Sequence, residues 1–194
     1  MAELATSAGY MVALGTDHIV ARQGTVTGSI GVLMQSVEVT ELMAKLGISA
    51  DTIKSAPLKA TPNPLEKLTP DAREAAHEVV MDMYDMFVDM VAERRKMDRD
   101  ATLKLADGRV YTGRQAIQNG LIDELGGERE ARAWLKSAHN IDERLPVSVV
   151  EPKRDEGFLS TLLDDLLGKA MGKTMLSERL RLDGLISLWH PQLH

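Results

Sequence analysis

Apolar and polar positions separate most clearly between residues 70 and 96. Ala76, Val79, Val80, Met83, Phe87, Met90 and Val91 recur at three- to four-residue spacing, while Glu78, Asp82, Asp85, Asp89 and Glu93 fall largely on another face. The pattern predicts one long amphipathic helix with a core-packing stripe and a solvated acidic stripe. Its start is marked by Thr69 as N-cap, Pro70 in the first turn, and Asp71 and Glu74 at the positive end of the helix dipole.

The rest of the chain reads as short alternating elements. Residues 4–15 are small and apolar and predict a buried helix that opens near Thr6-Ser7 and closes at Gly15. His18 to Ala21 predicts a short strand, and Gly28 to Met34 a strand carrying glycines where backbones come close. A short helix is expected over 39–46, then extended chain over 50–55 and a loop holding Pro57, Pro62 and Pro64. Further expectations are a helix over 98–105, a strand over 108–113, helices over 114–119 and 127–138, and a strand over 146–150. In the tail, Leu159, Leu162, Leu163, Leu166 and Ala170 lie at helical spacing. Short strands alternating with helices point to an α/β domain over 1–150, followed by an amphipathic helical extension over 151–194.

Composition narrows the chemistry. The 194 residues carry a net charge of −6 with no basic block, so a nucleic-acid footprint is missing. There is no cysteine, which excludes disulfides, thiol nucleophiles and cysteine-bound metals. His18, His77, His139, His190 and His194 do not cluster with acids at metal-ligand spacing, so no metal and no cofactor are expected. No apolar run approaches the roughly 18 residues of a membrane span. The first residues have neither the basic start nor the long apolar stretch of a signal peptide.

One short motif carries candidate chemistry. Ala5-Thr6-Ser7-Ala8-Gly9-Tyr10 is close to the G-x-S-x-G nucleophile elbow, with Ala5 in place of the first glycine. Small neighbours would let a substrate carbonyl approach the Ser7 hydroxyl. A helix starting there would aim backbone N–H groups, that of Ala8 first, at a developing oxyanion. The plain alternative is a serine N-cap.

The wider text favours the first reading. Ala5-Thr6-Ser7-Ala8-Gly9-Tyr10, Asp17-His18-Ile19-Val20-Ala21 and Thr25-Val26-Thr27-Gly28-Ser29-Ile30-Gly31-Val32 resemble, in order, the signal peptide peptidase A family. The resemblance continues through Lys45-Leu46-Gly47-Ile48, Ile53-Lys54-Ser55, Leu58-Lys59, Ala106 to Gly113 and Gly120 to Gly126, covering roughly residues 1–135. It implies a Clp protease/crotonase-type fold of repeated ββα units. Ser7 would be the nucleophile, Lys59 the general base, and Ser29 the serine that orients the lysine amine.

It also implies a ring-like homo-oligomer whose lysine reaches a neighbouring subunit's serine, no cofactor, and signal peptides or other small or unfolded polypeptides as substrates. The implied location is the outer side of a bacterial inner membrane. Membrane contact would come through an anchor preceding this chain.

A lysine accepts a proton only when neutral, which requires burial without a carboxylate partner. Ala56, Pro57, Leu58 and Ala60 are apolar and no acid lies between Asp51 and Glu66, which suits Lys59; Lys54 is the competitor. Only six residues precede Ser7, so the strand leading into it, and a glycine-rich turn that supplies a second oxyanion donor in the family, are expected to lie outside the chain. Other readings are a phage prohead-type protease, an inactive assembly module, and a crotonase-type acyl-CoA enzyme.

Overall fold

The computed structural model describes residues 1–148. The expected strand over 146–150 and the helical stripe of the tail lie partly or wholly outside them. The chain divides into units Met1–Leu145 and Pro146–His194, and the first carries every candidate site residue.

That first unit is mixed α/β. In chain order it holds β1 (Leu4–Thr6), α1 (Ala8–Leu14), β2 (Val20–Ala21), β3 (Val26–Gly28), α2 (Thr40–Lys45) and α3 (Pro70–Arg95). Then follow α4 (Arg99–Leu105), β4 (Val110–Thr112), α5 (Gly113–Gln118), β5 (Glu124–Leu125) and α6 (Glu128–His139). One sheet has the order β1-β3-β4, with β1 parallel and β4 antiparallel to β3; a second pairs β2 with β5 in parallel. The β1–α1–β3 path is thus a crossover between parallel neighbours, which sets α1 directly after the first strand.

Two expectations fail here for the same reason. Residues 4–6 are strand rather than the start of a helix, in register Leu4↔Val26, Ala5↔Thr27, Thr6↔Gly28. Helix begins only after Ser7, whose φ of 51° interrupts both states. The strand expected over 28–34 instead ends at Gly28, because Gly28 and Ser29 both take left-handed backbone (φ 80° and 52°), which cannot extend a ladder. The strand that feeds Ser7 therefore lies within this chain, contrary to the expectation.

Buried threonines fasten β1 to β3. Thr27 Oγ1 donates to the Ala5 carbonyl (2.7 Å) and Thr25 Oγ1 to that of Ala2 (2.5 Å). Below the sheet, Tyr10 and Leu14 of α1 meet Phe87, Val88 and Val91 of α3, with Ile19, Ile30, Tyr111, Leu121 and Ile122 completing the core. Fully burying a side chain of this size contributes about 1.5–3 kcal/mol. The Tyr10 hydroxyl donates to the Leu121 carbonyl (2.7 Å), so the wholly buried ring leaves no polar group unpaired. That burial pushes the phenol well above its ordinary range.

The long helix forms where the pattern predicts, capped by Thr69 Oγ1 accepting from Ala72 N–H (3.2 Å) and closed by Lys96 in left-handed conformation. Its predicted core stripe holds only towards the C-terminal end. Phe87 and Val91 are buried, but Val79 and Met83 are about half exposed (49% and 43%). The acidic stripe is solvated, and Asp85 and Asp89 both pair with Arg99 (2.6 and 2.8 Å). At the far end, Arg94 donates to the carbonyls of Leu14 (2.6 Å) and Thr16 (2.9 Å), satisfying the end of α1. Trp134 of α6 stacks flat on His18, with ring centroids 4.7 Å apart.

Between β3 and α3 the chain runs from Ser29 to Thr69 with α2 as its helix. Leu33, Val37, Leu42, Leu46 and Ile53 on this arm are exposed. Among the described residues, no helix is long and apolar enough to cross a membrane.

Candidate active site

Ser7 sits at the sharp junction between β1 and α1. Its backbone (φ 51°, ψ −118°) lies in a region a side chain rarely adopts, at a cost on the order of 1–3 kcal/mol. A serine acting as an ordinary N-cap has extended backbone and accepts a hydrogen bond through its hydroxyl. Ser7 has neither feature: no side-chain cap bond forms. The elbow motif calls for strand, strained serine and helix in that order, and that order is present.

The turn is held from behind. Ser7 N–H donates to the Gly28 carbonyl (2.9 Å), and Tyr10 and Met11 N–H both donate to the Ser7 carbonyl (2.9 and 3.0 Å). Ser7 is thereby fixed on both sides through its main chain, and its hydroxyl remains uncommitted among the described residues. The N–H groups of Ala8 and Gly9, first in the helix, have no acceptor among the described residues. Ala8 is therefore a free donor beside the serine.

Ser29 follows Gly28 at the end of β3. Its N–H donates to the Arg109 carbonyl (2.8 Å), and Gly108 N–H donates to Ile30 O (3.1 Å), so the two residues leading into β4 clamp Ser29 and Ile30. Ser7 and Ser29 are brought to adjacent strand ends by the Thr6↔Gly28 register. Both carry left-handed φ without being glycine, and such strain clusters at functional sites.

The lysines are placed differently. Lys59 lies on the irregular arm, exposed, and no hydrogen bond joins it to Ser7 or Ser29 among the described residues. Its apolar neighbours Ala56, Pro57, Leu58 and Ala60 are exposed as well, so the burial expected from the local sequence is not supplied by the chain itself. Lys54 is largely buried (13% exposed) and paired with Glu66, the opposite of what a proton-accepting amine requires. Its ammonium holds the Glu66 carboxyl below the usual range. Among the described residues, no group of three or more His, Asp or Glu could hold a metal ion.

Sequence reasoning missed the residues that hold the elbow. Gly28 supplies the carbonyl for Ser7, and a Cβ added there would lie 2.7 Å from Tyr111 Cδ2, so only glycine fits. Its position in Thr27-Gly28-Ser29, immediately before a candidate site serine, was the available signal.

This architecture has recognisable relatives. The model of peptidase family S49 matches residues 1–142. The chain belongs to peptidase family S49. It is 38% identical over 177 residues to an Enterococcus faecium protein named as a signal peptide peptidase SppA, covering 90% of this chain and 51% of that one. It is 34% identical to the chloroplastic serine protease SPPA of Arabidopsis thaliana (96% of this chain, 27% of the relative) and 33% identical to protease 4 of Haemophilus influenzae (85% and 27%). The chain thus spans about half, or less, of the length of these S49 relatives.

Proposed function

We propose that this S49 chain is the catalytic portion of a serine endopeptidase with a Ser/Lys dyad. Ser7 is the nucleophile, Lys59 the general base, Ser29 the residue that orients the lysine, and Ala8 N–H an oxyanion donor. The observation that carries the reading is the strained elbow of Ser7 with its hydroxyl free, next to an unpartnered N–H at the start of α1.

The Ser7 Oγ attacks the carbonyl carbon of a peptide bond while the neutral Lys59 amine takes the hydroxyl proton. The Ala8 N–H steadies the negative oxygen of the tetrahedral intermediate. The C–N bond breaks, Lys59 returns its proton to the departing amine, and an ester to Ser7 remains. Lys59 then takes a proton from water, whose oxygen attacks the ester carbonyl; the bond to Ser7 Oγ breaks, Lys59 returns the proton to that oxygen, and the peptide leaves with a new carboxyl end. No step needs an oxidant, metal or cofactor.

Lys59 is exposed on the arm, and among the described residues no hydrogen bond joins it to Ser7, which supports its working on the serine of a neighbouring copy. Packing against that copy would supply the desolvation the lysine needs. The exposed Leu33, Val37, Leu42, Leu46 and Ile53 give the arm an apolar surface suited to such a contact. The parallel β1–α1–β3 unit supports a Clp protease/crotonase-type fold. Signal peptides and other small or unfolded polypeptides are the substrates that fit the reading, and the outer side of a bacterial inner membrane is the matching location.

The test is turnover of a fluorogenic peptide with an apolar residue before the scissile bond. Ser7→Ala and Lys59→Ala should each abolish it while leaving the fold intact. Full turnover by either variant would remove that residue from the mechanism.

A further inference from the structure

The N–H of the strained Ser7 is held by the Gly28 carbonyl, and Gly28 packs against a residue far away in sequence. Tyr111 lies on β4, opposite Thr27 and one position from the Val110–Gly28 pair. It is 7% exposed. Its ring packs beside Gly28: a Cβ built there would stand 2.7 Å from Cδ2 and 3.3 Å from Cε2. The ring therefore occupies the space a side chain at residue 28 would take. The Arg109 carbonyl, two residues before Tyr111, accepts from Ser29 N–H (2.8 Å), so this stretch of chain braces Gly28 and Ser29 together.

Gly28 has φ +80°, a conformation glycine shares with several others of similar energy, so the backbone alone does not keep its carbonyl aimed at Ser7. Something must exclude the alternatives; the Tyr111 ring and the Arg109 carbonyl oxygen (3.3 Å from the same Cβ position) are the groups there, and the ring is the nearer. The Tyr111 hydroxyl points elsewhere, donating to the Leu105 carbonyl (3.2 Å). The contact at Gly28 is made by the ring.

We infer that Tyr111 is a positioning residue for the nucleophile: its ring fixes the Gly28 peptide so that the carbonyl receives Ser7 N–H and the elbow keeps its strained form. The inference rests on Ser7 being the nucleophile. Among the described residues no hydrogen bond joins Tyr111 to Ser7, so Tyr111 acts through Gly28, on the rate of attack rather than on substrate binding.

Two measurements on the full chain separate this from a merely structural role. The first is labelling of Ser7 by a fluorophosphonate, with the maximal labelling rate and the half-saturating concentration determined separately. Tyr111→Phe keeps the ring and should label like the parent. Tyr111→Val removes it and should lower the maximal rate by about 10- to 100-fold, the scale of a misplaced reacting group, with little change in half-saturation. The second is hydrogen exchange at the Ser7 amide. It should quicken in Tyr111→Val but not in Tyr111→Phe, while the buried Val88 and Val91 amides of α3 stay protected in both.

Should Tyr111→Val lose protection throughout, Tyr111→Leu, which keeps bulk without a flat face, is read by the same two measurements and should behave as described for valine. Parent-like labelling and exchange in a folded ring-less variant overturns the inference. So does equal damage in Tyr111→Phe. If the parent protein takes no label at Ser7, the nucleophile reading is what fails, and exchange at the Ser7 amide still decides whether Tyr111 holds the turn.

Discussion

Ser7 donates its N–H to the carbonyl of Gly28 at 2.9 Å, and this bond joins two adjacent strand ends at residues that both have left-handed φ. The sharp turn on β1 and the strand-ending turn on β3 support each other. Neither is an independent loop, so a change at Gly28 is a change at the serine.

Gly28→Ala should therefore be costly twice. The new Cβ meets the Tyr111 ring at 2.7 Å, and φ of +80° is strained for any residue with a Cβ. The expected loss is about 1–3 kcal/mol of unfolding free energy, read by urea denaturation, together with loss of peptidase turnover beyond what that destabilisation explains. Wild-type turnover by a folded Gly28→Ala protein would mean the Ser7–Gly28 bond does not govern the site.

The two lysines should separate cleanly. Lys59→Ala should abolish peptide hydrolysis, and Lys59→Arg should not restore it, because a guanidinium stays protonated and cannot act as base. Lys54→Ala should retain hydrolysis and lose only stability, since Lys54 is committed to Glu66. If Lys59 acts on a neighbouring subunit, mixing inactive Ser7→Ala with inactive Lys59→Ala should regain turnover as mixed oligomers form. Turnover that stays absent after subunit exchange would place both residues of the dyad in one chain.

Asp123 gives the fold an acid-sensitive joint. Burial pulls its carboxyl upward, but the two Arg95 bonds (2.7 and 3.0 Å), the Ile19 N–H (2.7 Å) and nearby His18 outweigh that and hold it below the usual carboxylate range. A carboxyl depressed in the folded state stabilises the protein above its unfolded pKa, and that stability is lost as pH falls through the folded value. Asp123→Asn should cost about 1–2 kcal/mol near neutrality, allowing for partial exposure of the site. The difference from the parent should shrink as the pH drops below about 4. A gap that is unchanged down to pH 2–3 would show that the Asp123 charge is not what stabilises this joint.

Much of this architecture is legible in the sequence, and the gaps have physical reasons. The long helix is readable because Thr69, Pro70 and a three- to four-residue apolar period agree with one another. Its buried length is not, because Val79 and Met83 fit the period equally well whether or not anything in the chain covers them. Ser7 is marked by its small neighbours, but β1 is hidden: three residues of strand are too few to show a two-residue alternation before the apolar helix begins. The end of β3 depends on Gly28 and Ser29 taking positive φ, which the Gly-Ser pair permits without requiring. The environment of Lys59 is the hardest to read, since apolar neighbours in a loop do not amount to burial.

The central claim is that the strained Ser7 hydroxyl is the nucleophile, and the most direct measurement is where a fluorophosphonate attaches. The protein is treated with the probe, digested, and mapped by mass spectrometry, with Ser7→Ala and Ser29→Ala alongside. The account predicts a single adduct on the peptide containing Ser7, none in Ser7→Ala, and a slower but still Ser7-borne adduct in Ser29→Ala. An adduct on any other serine, or undiminished labelling of Ser7→Ala, would contradict it.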